Sequence, residues 1–167
     1  MNAKNPKRSA AIILLKEERP QGFKVFLLKR SQRQMFMAGT YVFPGGIMDK
    51  QDSDQKTFSR CRGISPVKAQ EVIGGTLSEE ESLAFWITGI RELFEEAGVL
   101  FAMRRTGETA IIDDTLVRQR FDNYRELLYK GEITLSRLAE KEGLIYTLDQ
   151  LTHFAHWITP EGQPLRF

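Results

Sequence analysis

The sequence predicts one domain of mixed α/β class. Three observations lead to this expectation: a length of 167 residues with 41% hydrophobic content, short runs of β-forming residues near the N-terminus, and a long helical pattern at residues 79–97. A chain of this size can bury one core but has little material for a second. We therefore expect residues 1–167 to form a single domain, and the sequence contains no internal repeat or heptad run that would favour another architecture.

The N-terminal third is predicted to form short strands. Residues 10–15 and 23–28 are rich in β-forming residues, and the Pro and Gly between them mark a turn, so we expect a strand pair. Residues 41–43 give a brief third strand. Pro-Gly-Gly follows at 44–46, where two glycines permit backbone conformations that other residues resist, and a tight exposed loop is expected there.

The stretch at residues 49–78 is irregular in sequence. It contains Ser, Gly, Pro and mixed charges, with a small apolar patch at Val72 and Ile73. We expect a long inserted loop, and loops of this length are usually functional or mobile.

Helices dominate the predicted C-terminal half. Ser78 and Glu81 form a capping-box pattern, and apolar residues then recur at helical spacing until Gly98, which predicts a helix at 79–97. A strand is expected at 99–103, a shorter helix at 135–142 and a strand at 154–158. Between the first two of these, Asp113 or Asp114 can cap another helix, with an apolar stripe at Val117, Phe121, Tyr124 and Leu128.

The composition limits the classes of partner. Lys and Arg number 24 against 22 Asp and Glu, and this net charge of +2 is too small to predict nucleic-acid binding. The single cysteine, Cys61, excludes an internal disulfide and a thiolate-rich metal site. The apolar run at 10–15 is too short to cross a membrane. We expect a cytoplasmic protein with a small-molecule partner.

The helix at 79–97 carries the main candidate site. Residues three and four apart share a helix face, so Glu92, Glu95 and Glu96 direct their carboxylates toward one region. Like charges at this spacing cost a few tenths of a kcal/mol per pair, roughly, and a bound cation would reverse that sign. Mg²⁺ and Mn²⁺ prefer oxygen ligands and bridge carboxylates to phosphates. Arg91 is predicted to orient Glu95 through an ion pair.

A solvated helix face is the simpler interpretation of such an acidic run by itself. The context favours function, because Tyr-Val-Phe-Pro-Gly-Gly at 41–46 precedes a helix bearing Arg-Glu-Leu-Phe-Glu-Glu-Ala-Gly-Val at 91–99. This pairing resembles the strand-loop-helix signature of the Nudix family. The family pattern has a glycine 14 positions before its Arg, whereas Gly46 lies 45 positions before Arg91, so the box is split by the 49–78 insertion.

The split box resembles the Nudix branch that includes the peroxisomal coenzyme A diphosphatases, which share the V-F-P-G-G-x-x-D stretch. An α/β/α sandwich around a mixed sheet is the fold that the resemblance implies. Its metal ligands map to Glu92, Glu95 and Glu96, with the Gly46 carbonyl as an extra ligand for Mg²⁺ or Mn²⁺. Glu92, Glu95 or a more distant acid would be the base, and Arg91 would orient Glu95. Family patterns also place an acid six positions after the glycine, here Asp52.

The activity that the resemblance implies is metal-dependent hydrolysis of the diphosphate bond in a nucleoside diphosphate linked to another group. A coenzyme A-like substrate is favoured, while ADP-ribose, NADH and dinucleoside polyphosphates stay open. Two other functions are a non-catalytic nucleotide-binding regulator and a structural protein; intact glutamates argue against the first, and the Gly-Gly stretch against the second. Relatives in this branch continue beyond the segment that ends here at Phe167. We therefore expect either a C-terminally truncated domain or a fold that is completed differently. A homodimer stays open.

Several other residues have a chemical and a structural interpretation. Arg30 is a weak candidate for phosphate binding, since basic side chains are more often solvated. His153 and His156 are expected to be packed or surface residues rather than bases. The run at 35–37, Met-Phe-Met, fits an apolar ligand pocket or core packing equally well.

Overall fold

A computed structural model of the chain describes residues 5–30, 39–110, 114–163 and 165–167. The α/β class is confirmed. The strands are β1 Ser9–Ala11, β2 Leu15–Glu18, β3 Gly22–Val25, β4 Leu28–Lys29, β5 Tyr41–Val42, β6 Gly45–Ile47, β7 Cys61–Arg62, β8 Ala102–Arg104 and β9 Leu144–Thr147. The helices are α1 Gln55–Phe58, α2 Pro66–Ile73, α3 Glu79–Ala97, α4 Thr115–Tyr129 and α5 Leu135–Glu142, with short 3-10 helices at Lys50–Ser53 and Leu148–Gln150.

The strands pair in both orientations. Strand β9 lies between β7, which is parallel to it, and β8, which is antiparallel. The other described pairs are antiparallel: β1 with β6, β2 with β3, and β4 with β5. Mixed pairing of this kind is the arrangement that the family resemblance implies.

The N-terminal prediction is partly wrong. The expected pairing of 10–15 with 23–28 is present only as the hairpin β2–β3, in which Leu15 faces Val25 and Glu18 faces Gly22. The first part of that run forms β1, which pairs with β6 instead. The expected exposed loop at 44–46 is also wrong, because Pro44 is buried and Gly45 begins a strand.

Gly45 explains why this stretch is a strand. A Cβ atom at Gly45 would lie 2.4 Å from the Ala10 carbonyl oxygen and 2.6 Å from the Ala11 Cα atom. The glycine therefore serves close approach between two backbones rather than a turn.

The stretch at 49–78 is folded, contrary to the expected irregular loop. It contains the 3-10 helix Lys50–Ser53, α1, β7 and α2, and it buries three side chains, Asp52, Thr57 and Ala69. The side chains of Asp49, Asp54 and Ser65 each accept a hydrogen bond at a helix start. The short polar residues that suggested a loop are thus N-caps.

Helix α3 has the predicted bounds and lies at the centre of the fold. The Ser78 hydroxyl accepts from the Glu81 N–H at 3.1 Å, and the Glu81 carboxylate accepts from the Ser78 N–H at 3.0 Å. Gly98 ends the helix in the left-handed conformation, with φ of 70°. The helix contacts α2, α4, β1 and β6. Its predicted apolar positions are fully buried: Leu83, Ile87, Ile90 and Phe94.

The C-terminal half agrees with the sequence except at its strands. Asp114 caps α4 through two backbone N–H groups, and the alternative cap, Asp113, lies outside the described residues. The predicted bounds of α5 are confirmed, and the strand expected at 99–103 begins later, at Ala102. The strand expected at 154–158 is wrong, since these residues are exposed without strand pairing. Strand β9 was not predicted.

The stripe on α4 packs as expected, with Phe121, Tyr124 and Leu128 buried and Val117 packed at the edge of the core. Phe121 meets Phe94 of α3 edge-to-face, with ring centroids 6.2 Å apart. Of the helices in the described ranges, none combines the length and the hydropathy needed to span a membrane.

A clasp between α4 and α5 gives a pH-dependent contribution to stability. The Glu142 carboxylate accepts from Arg120 at 2.8 and 3.0 Å and from the Tyr124 hydroxyl at 3.0 Å. Burial raises the pKa of Glu142, but the hydrogen bonds from Arg120 and Tyr124 outweigh burial and lower that pKa below its usual value. The carboxylate therefore stabilises the fold above the unfolded-state pKa of about 4.3.

We expect Glu142→Gln to lower the free energy of unfolding by about 1 kcal/mol at pH 7, because the Arg120 end of the pair is half exposed and screened. The difference from wild type should shrink as pH falls from the usual glutamate pKa toward the lowered native pKa, since the unfolded state takes up a proton first and the native carboxylate follows. Urea unfolding at several pH values measures it. Glu126→Gln, at an exposed glutamate of α4, is the control, and a constant difference across pH would contradict the prediction.

Candidate active site

The two halves of the split box meet in space. The Gly45 N–H donates to the Glu96 carboxylate at 2.8 Å, although 51 positions separate them. At Gly46 a Cβ atom would lie 2.4 Å from Glu92 Oε1 and 2.6 Å from Glu92 Cδ. Strand β6 therefore packs directly on the acidic end of α3, and only glycine leaves room for the Glu92 carboxylate.

A buried ion pair locks this arrangement. Arg91 Nε donates to Asp52 Oδ1 at 2.9 Å, and Nη2 donates to Asp52 Oδ2 at 3.0 Å. The same Nη2 group reaches the Ile47 carbonyl at 2.8 Å. Arg91 thus connects α3 to the chain on both sides of the point where the insertion begins, using the fork geometry of its guanidinium.

Asp52 is the most fully satisfied carboxylate of the site. It is entirely buried, and its Oδ2 atom also lies 2.9 Å from the Asp49 N–H and 3.0 Å from the Thr88 hydroxyl. These donors satisfy the buried carboxylate, and it holds each donor in place in turn.

Arg91 also lies beside two of the predicted glutamates. Its Nη1 atom is 2.8 Å from Glu92 Oε1 and 3.3 Å from Glu95 Oε1. The expected contact with Glu95 is thus present but longer than the contact with Asp52. Burial lowers the pKa of Arg91, but its hydrogen bonds to Asp52 and the charges of Glu92 and Glu95 outweigh burial and hold that pKa above its usual value.

The two glutamates next to Arg91 are held in an unfavourable electrostatic environment. Burial, the largest effect, and the charges of Glu95 and Glu96 raise the pKa of Glu92 to about 7, against the opposing effect of Arg91. Burial also raises the pKa of Glu95. The cluster has more acidic than basic groups, since one guanidinium faces the carboxylates of Asp52, Glu92 and Glu95, and an added cation would relieve the excess.

The donor set fits a hard divalent cation in chemistry, because the available groups are carboxylate and carbonyl oxygens. Within the described ranges, no three Cys, His, Asp or Glu side chains are arranged as a ready metal cluster. Glu96 is turned toward Gly45, and Glu92 toward Arg91. Joint coordination would therefore require the glutamates to rotate away from these partners.

The structure brings together Gly46, Arg91, Glu92, Glu95 and Glu96, and their catalytic or metal-binding roles stay predictions. His153 and His156 are exposed, apart from this network. Cys61 donates to the Thr57 carbonyl at 3.2 Å, and burial raises the pKa of its thiol to about 12, so it is not a nucleophile. The backbone of Arg30 pairs with Thr40 and Gly39, and the pocket expected at 35–37 lies outside the described residues.

Sequence reasoning missed three parts of this site: the burial of Asp52, the hydroxyl of Thr88 and the Gly45 N–H. The box spacing did single out Asp52, but it did not indicate that Arg91 is its partner. Thr88 precedes Arg91 by three residues. This i, i+3 relation is the signal that could have placed both side chains on one face of the helix.

Comparisons with known proteins point in the same direction. A family model described as the NUDT19 Nudix domain matches residues 6–166. The human protein named acyl-coenzyme A diphosphatase NUDT19 is 35% identical over 106 residues, which cover 52% of this chain and 28% of that protein. The Gallus gallus protein of the same name is 25% identical over 172 residues, covering 86% of this chain and 45% of its own length. The chain spans less than half of these relatives.

The fold is also similar to a solved structure. The crystal structure of a NUDIX hydrolase from Alicyclobacillus acidocaldarius superposes with a TM-score of 0.77, covering 98% of this chain and 66% of that one. Sequence identity is 23%, so the likeness concerns the fold alone, and it confirms the Nudix-like α/β architecture expected from the split box.

The Asp52 network yields a stability prediction. We expect Asp52→Ala to lower the free energy of unfolding by about 3 kcal/mol, because it leaves the buried guanidinium of Arg91 without its main partner. Urea unfolding measures the change. Glu71→Ala removes an exposed ion pair with Lys68 and should cost well under 1 kcal/mol, roughly. Equal losses in the two variants would show that the buried pair contributes nothing special.

Proposed function

The chain belongs to the Nudix family, as a NUDT19-type Nudix domain, and from this membership we propose that it hydrolyses the diphosphate bond of a nucleoside diphosphate linked to another group. The observation that carries the proposal is the meeting of Gly45 and Gly46 with Glu96 and Glu92. A helix whose glutamates served only solubility would not need to bury Glu92 against a strand. Burying a carboxylate costs free energy, and buried carboxylates with a shifted pKa are typical of functional sites.

We propose that Glu92, Glu95 and Glu96 hold one or more divalent cations, Mg²⁺ or Mn²⁺, together with the Gly46 carbonyl oxygen. Gly46 pairs with Ala10 in the β1–β6 ladder, but a carbonyl oxygen can accept two partners. When bound, the cation neutralises phosphate charge and lowers the pKa of water.

The chain's own residues have two roles in this proposal: some hold the glutamates in place, and one acid accepts the proton of water. Before a cation binds, Arg91 holds Glu92 and Glu95 on one side of α3, and the Gly45 N–H holds Glu96. Glu92, Glu95 or a more distant acid would accept the proton of the attacking water at a carboxylate oxygen. Arg91 does not meet the substrate in this proposal, because Asp52 and Ile47 occupy its donors.

A coenzyme A-like compound is the favoured substrate, because two relatives of similar sequence are named acyl-coenzyme A diphosphatases. ADP-ribose, NADH and dinucleoside polyphosphates contain the same diphosphate bond and belong in the same assay. We further propose that residues 1–167 act as one Nudix domain in which 49–78 is a folded insertion.

A cytoplasmic location and a homodimer extend this proposal. The lone Cys61 suits a reducing compartment. Light scattering coupled to gel filtration tests the dimer, and a monomer mass across micromolar concentrations would refute it.

We expect Glu96→Gln to reduce turnover of the preferred substrate at least about a hundredfold, because it removes a charged metal ligand. The assay compares Mg²⁺- and Mn²⁺-dependent hydrolysis of coenzyme A, ADP-ribose, NADH and diadenosine polyphosphates. Glu79→Gln, at the opposite end of α3, is the matched control and should retain activity. Folded protein with no turnover of any substrate would instead favour the non-catalytic nucleotide-binding module.

Gly46→Ala separates the site from the fold. Its Cβ atom would collide with the Glu92 carboxylate, a side chain that can move, so we expect Mn²⁺ affinity to fall about tenfold. Gly45→Ala would collide with the backbone of β1 and should mainly reduce stability. Mn²⁺ titration and urea unfolding of both variants test this contrast, and unchanged Mn²⁺ affinity in Gly46→Ala would contradict the assignment of Glu92.

A further inference from the structure

The end of α3 has an electrostatic conflict that the helix itself does not resolve. Glu95 and Glu96 lie in its last turn, which contains no basic residue. Helix C-termini have partial negative charge and up to four unpaired carbonyl groups. Two carboxylates at this end therefore add to the unfavourable charge, and the turn that carries them is the part of the helix most prone to fray.

Arg125 of α4 contacts this turn through main-chain atoms. Its Nε atom donates to the Phe94 carbonyl at 3.0 Å, and Nη2 donates to the Glu95 carbonyl at 3.3 Å. The Glu96 carbonyl lies at 3.5 Å from Nη2, at the limit of a hydrogen bond. A planar guanidinium suits several carbonyl oxygens at once in a way that an ammonium group does not.

Two residues beside the Arg125 guanidinium, Asp122 and Gly98, favour its position against the end of α3. Asp122, one turn earlier on α4, accepts from Nη1 at 3.2 Å. Gly98 would place a Cβ atom 3.1 Å from Nη1 and 3.2 Å from Cζ, and its φ of 70° already disfavours other residues. Gly98, at the C-terminal end of α3, therefore leaves space for the Arg125 side chain of α4.

We infer that Arg125 is a positioning residue for the acidic site: it anchors the last turn of α3 so that Glu95 and Glu96 stay opposite β6. This inference rests on the proposed metal-dependent function. Arg125 acts through the backbone, because its hydrogen bonds to α3 are donated to carbonyl oxygens.

Anchoring and charge predict opposite effects on metal affinity. A positive charge near the glutamates repels a divalent cation, so its removal would tighten Mn²⁺ binding. Loss of an anchor lets the turn move and weakens binding. Because the guanidinium contacts carbonyl groups, we expect the anchoring effect to be larger.

The test is titration with Mn²⁺ alone, followed by electron paramagnetic resonance, on the full chain. Arg125→Ala should raise the Mn²⁺ Kd about tenfold, and Arg125→Lys should recover part of the loss. Arg120→Ala is the matched control, since Arg120 lies on the same helix but contacts Glu142 of α5. Its Kd should stay at the wild-type value, and urea unfolding of both alanine variants separates general loosening from the local effect.

Asp122→Asn is a milder variant, because Asp122 is exposed and its loss should not prevent folding. It removes the negative charge that holds Nη1 of Arg125 and leaves only a neutral acceptor. The Kd should rise two- to threefold, roughly. If Arg125→Ala does not fold, Arg125→Lys and Asp122→Asn decide, and wild-type affinity in both overturns the inference.

Three further outcomes are decisive. Unchanged or tighter Mn²⁺ binding by folded Arg125→Ala, while Glu96→Gln loses binding, overturns the positioning role and leaves the proposed function intact. Equal weakening in Arg120→Ala also overturns it. If the wild-type chain itself does not bind Mn²⁺, the proposed function fails, and the positioning role fails with it.

Discussion

The buried pair between Arg91 and Asp52 is the interaction on which the candidate site depends. It joins two points of the chain that are 39 positions apart, and the 31 residues in excess of the family spacing lie between them. Lengthening a closed loop from 14 to 45 residues costs only about 1 kcal/mol in chain entropy. A bidentate, fully buried ion pair can offset such a cost when its remaining donors and acceptors are satisfied, as they are by Thr88, Asp49 and Ile47.

The same pair sets the charge balance of the site. Asp52 neutralises most of Arg91, so little positive charge is left for Glu92, Glu95 and Glu96. The result is an acidic region whose orientation is fixed by hydrogen bonds but whose charge is not compensated. Solvent does not compensate it fully either, because Glu92 is buried. This combination suits a cation that arrives from solution with its substrate rather than a permanent ion pair.

The sequence predicted elements whose signals are local. Helix α3 and helix α5 have caps and apolar spacing within their own residues, and both were placed with their observed bounds. Strand β9 was missed because its four residues, three of them buried, have no distinctive period, and the strand is defined by pairing with β7 and β8, which are distant in sequence. Gly45 was assigned to a loop because a glycine can indicate either free φ or close backbone approach.

The site followed the same division. The clustering of Glu92, Glu95 and Glu96 follows from helix geometry and was predictable, and the spacing from Gly46 drew attention to Asp52. The partner of Arg91 was not predictable, because Asp49, Asp54 and Ser65 read as loop residues although they cap the short helices that return the chain to α3. Burial of Asp52 is a consequence of that return path.

The contacts that align α3 with β6 involve few residues of the insertion. Most residues of α3 from Ser82 to Phe94 are buried, and this packing fixes the axis of the helix that carries Glu92, Glu95 and Glu96. Alignment with β6 then needs only main-chain groups of Gly45 and Ile47 and the short side chain of Asp52. None of these lies beyond the first residues of the insertion, so the alignment itself does not use the later part, which packs α2 against α3 and buries Ala69 in the core. The constraint falls instead on the two ends of α3: the Ser78 cap that begins it and the residues that hold its last turn.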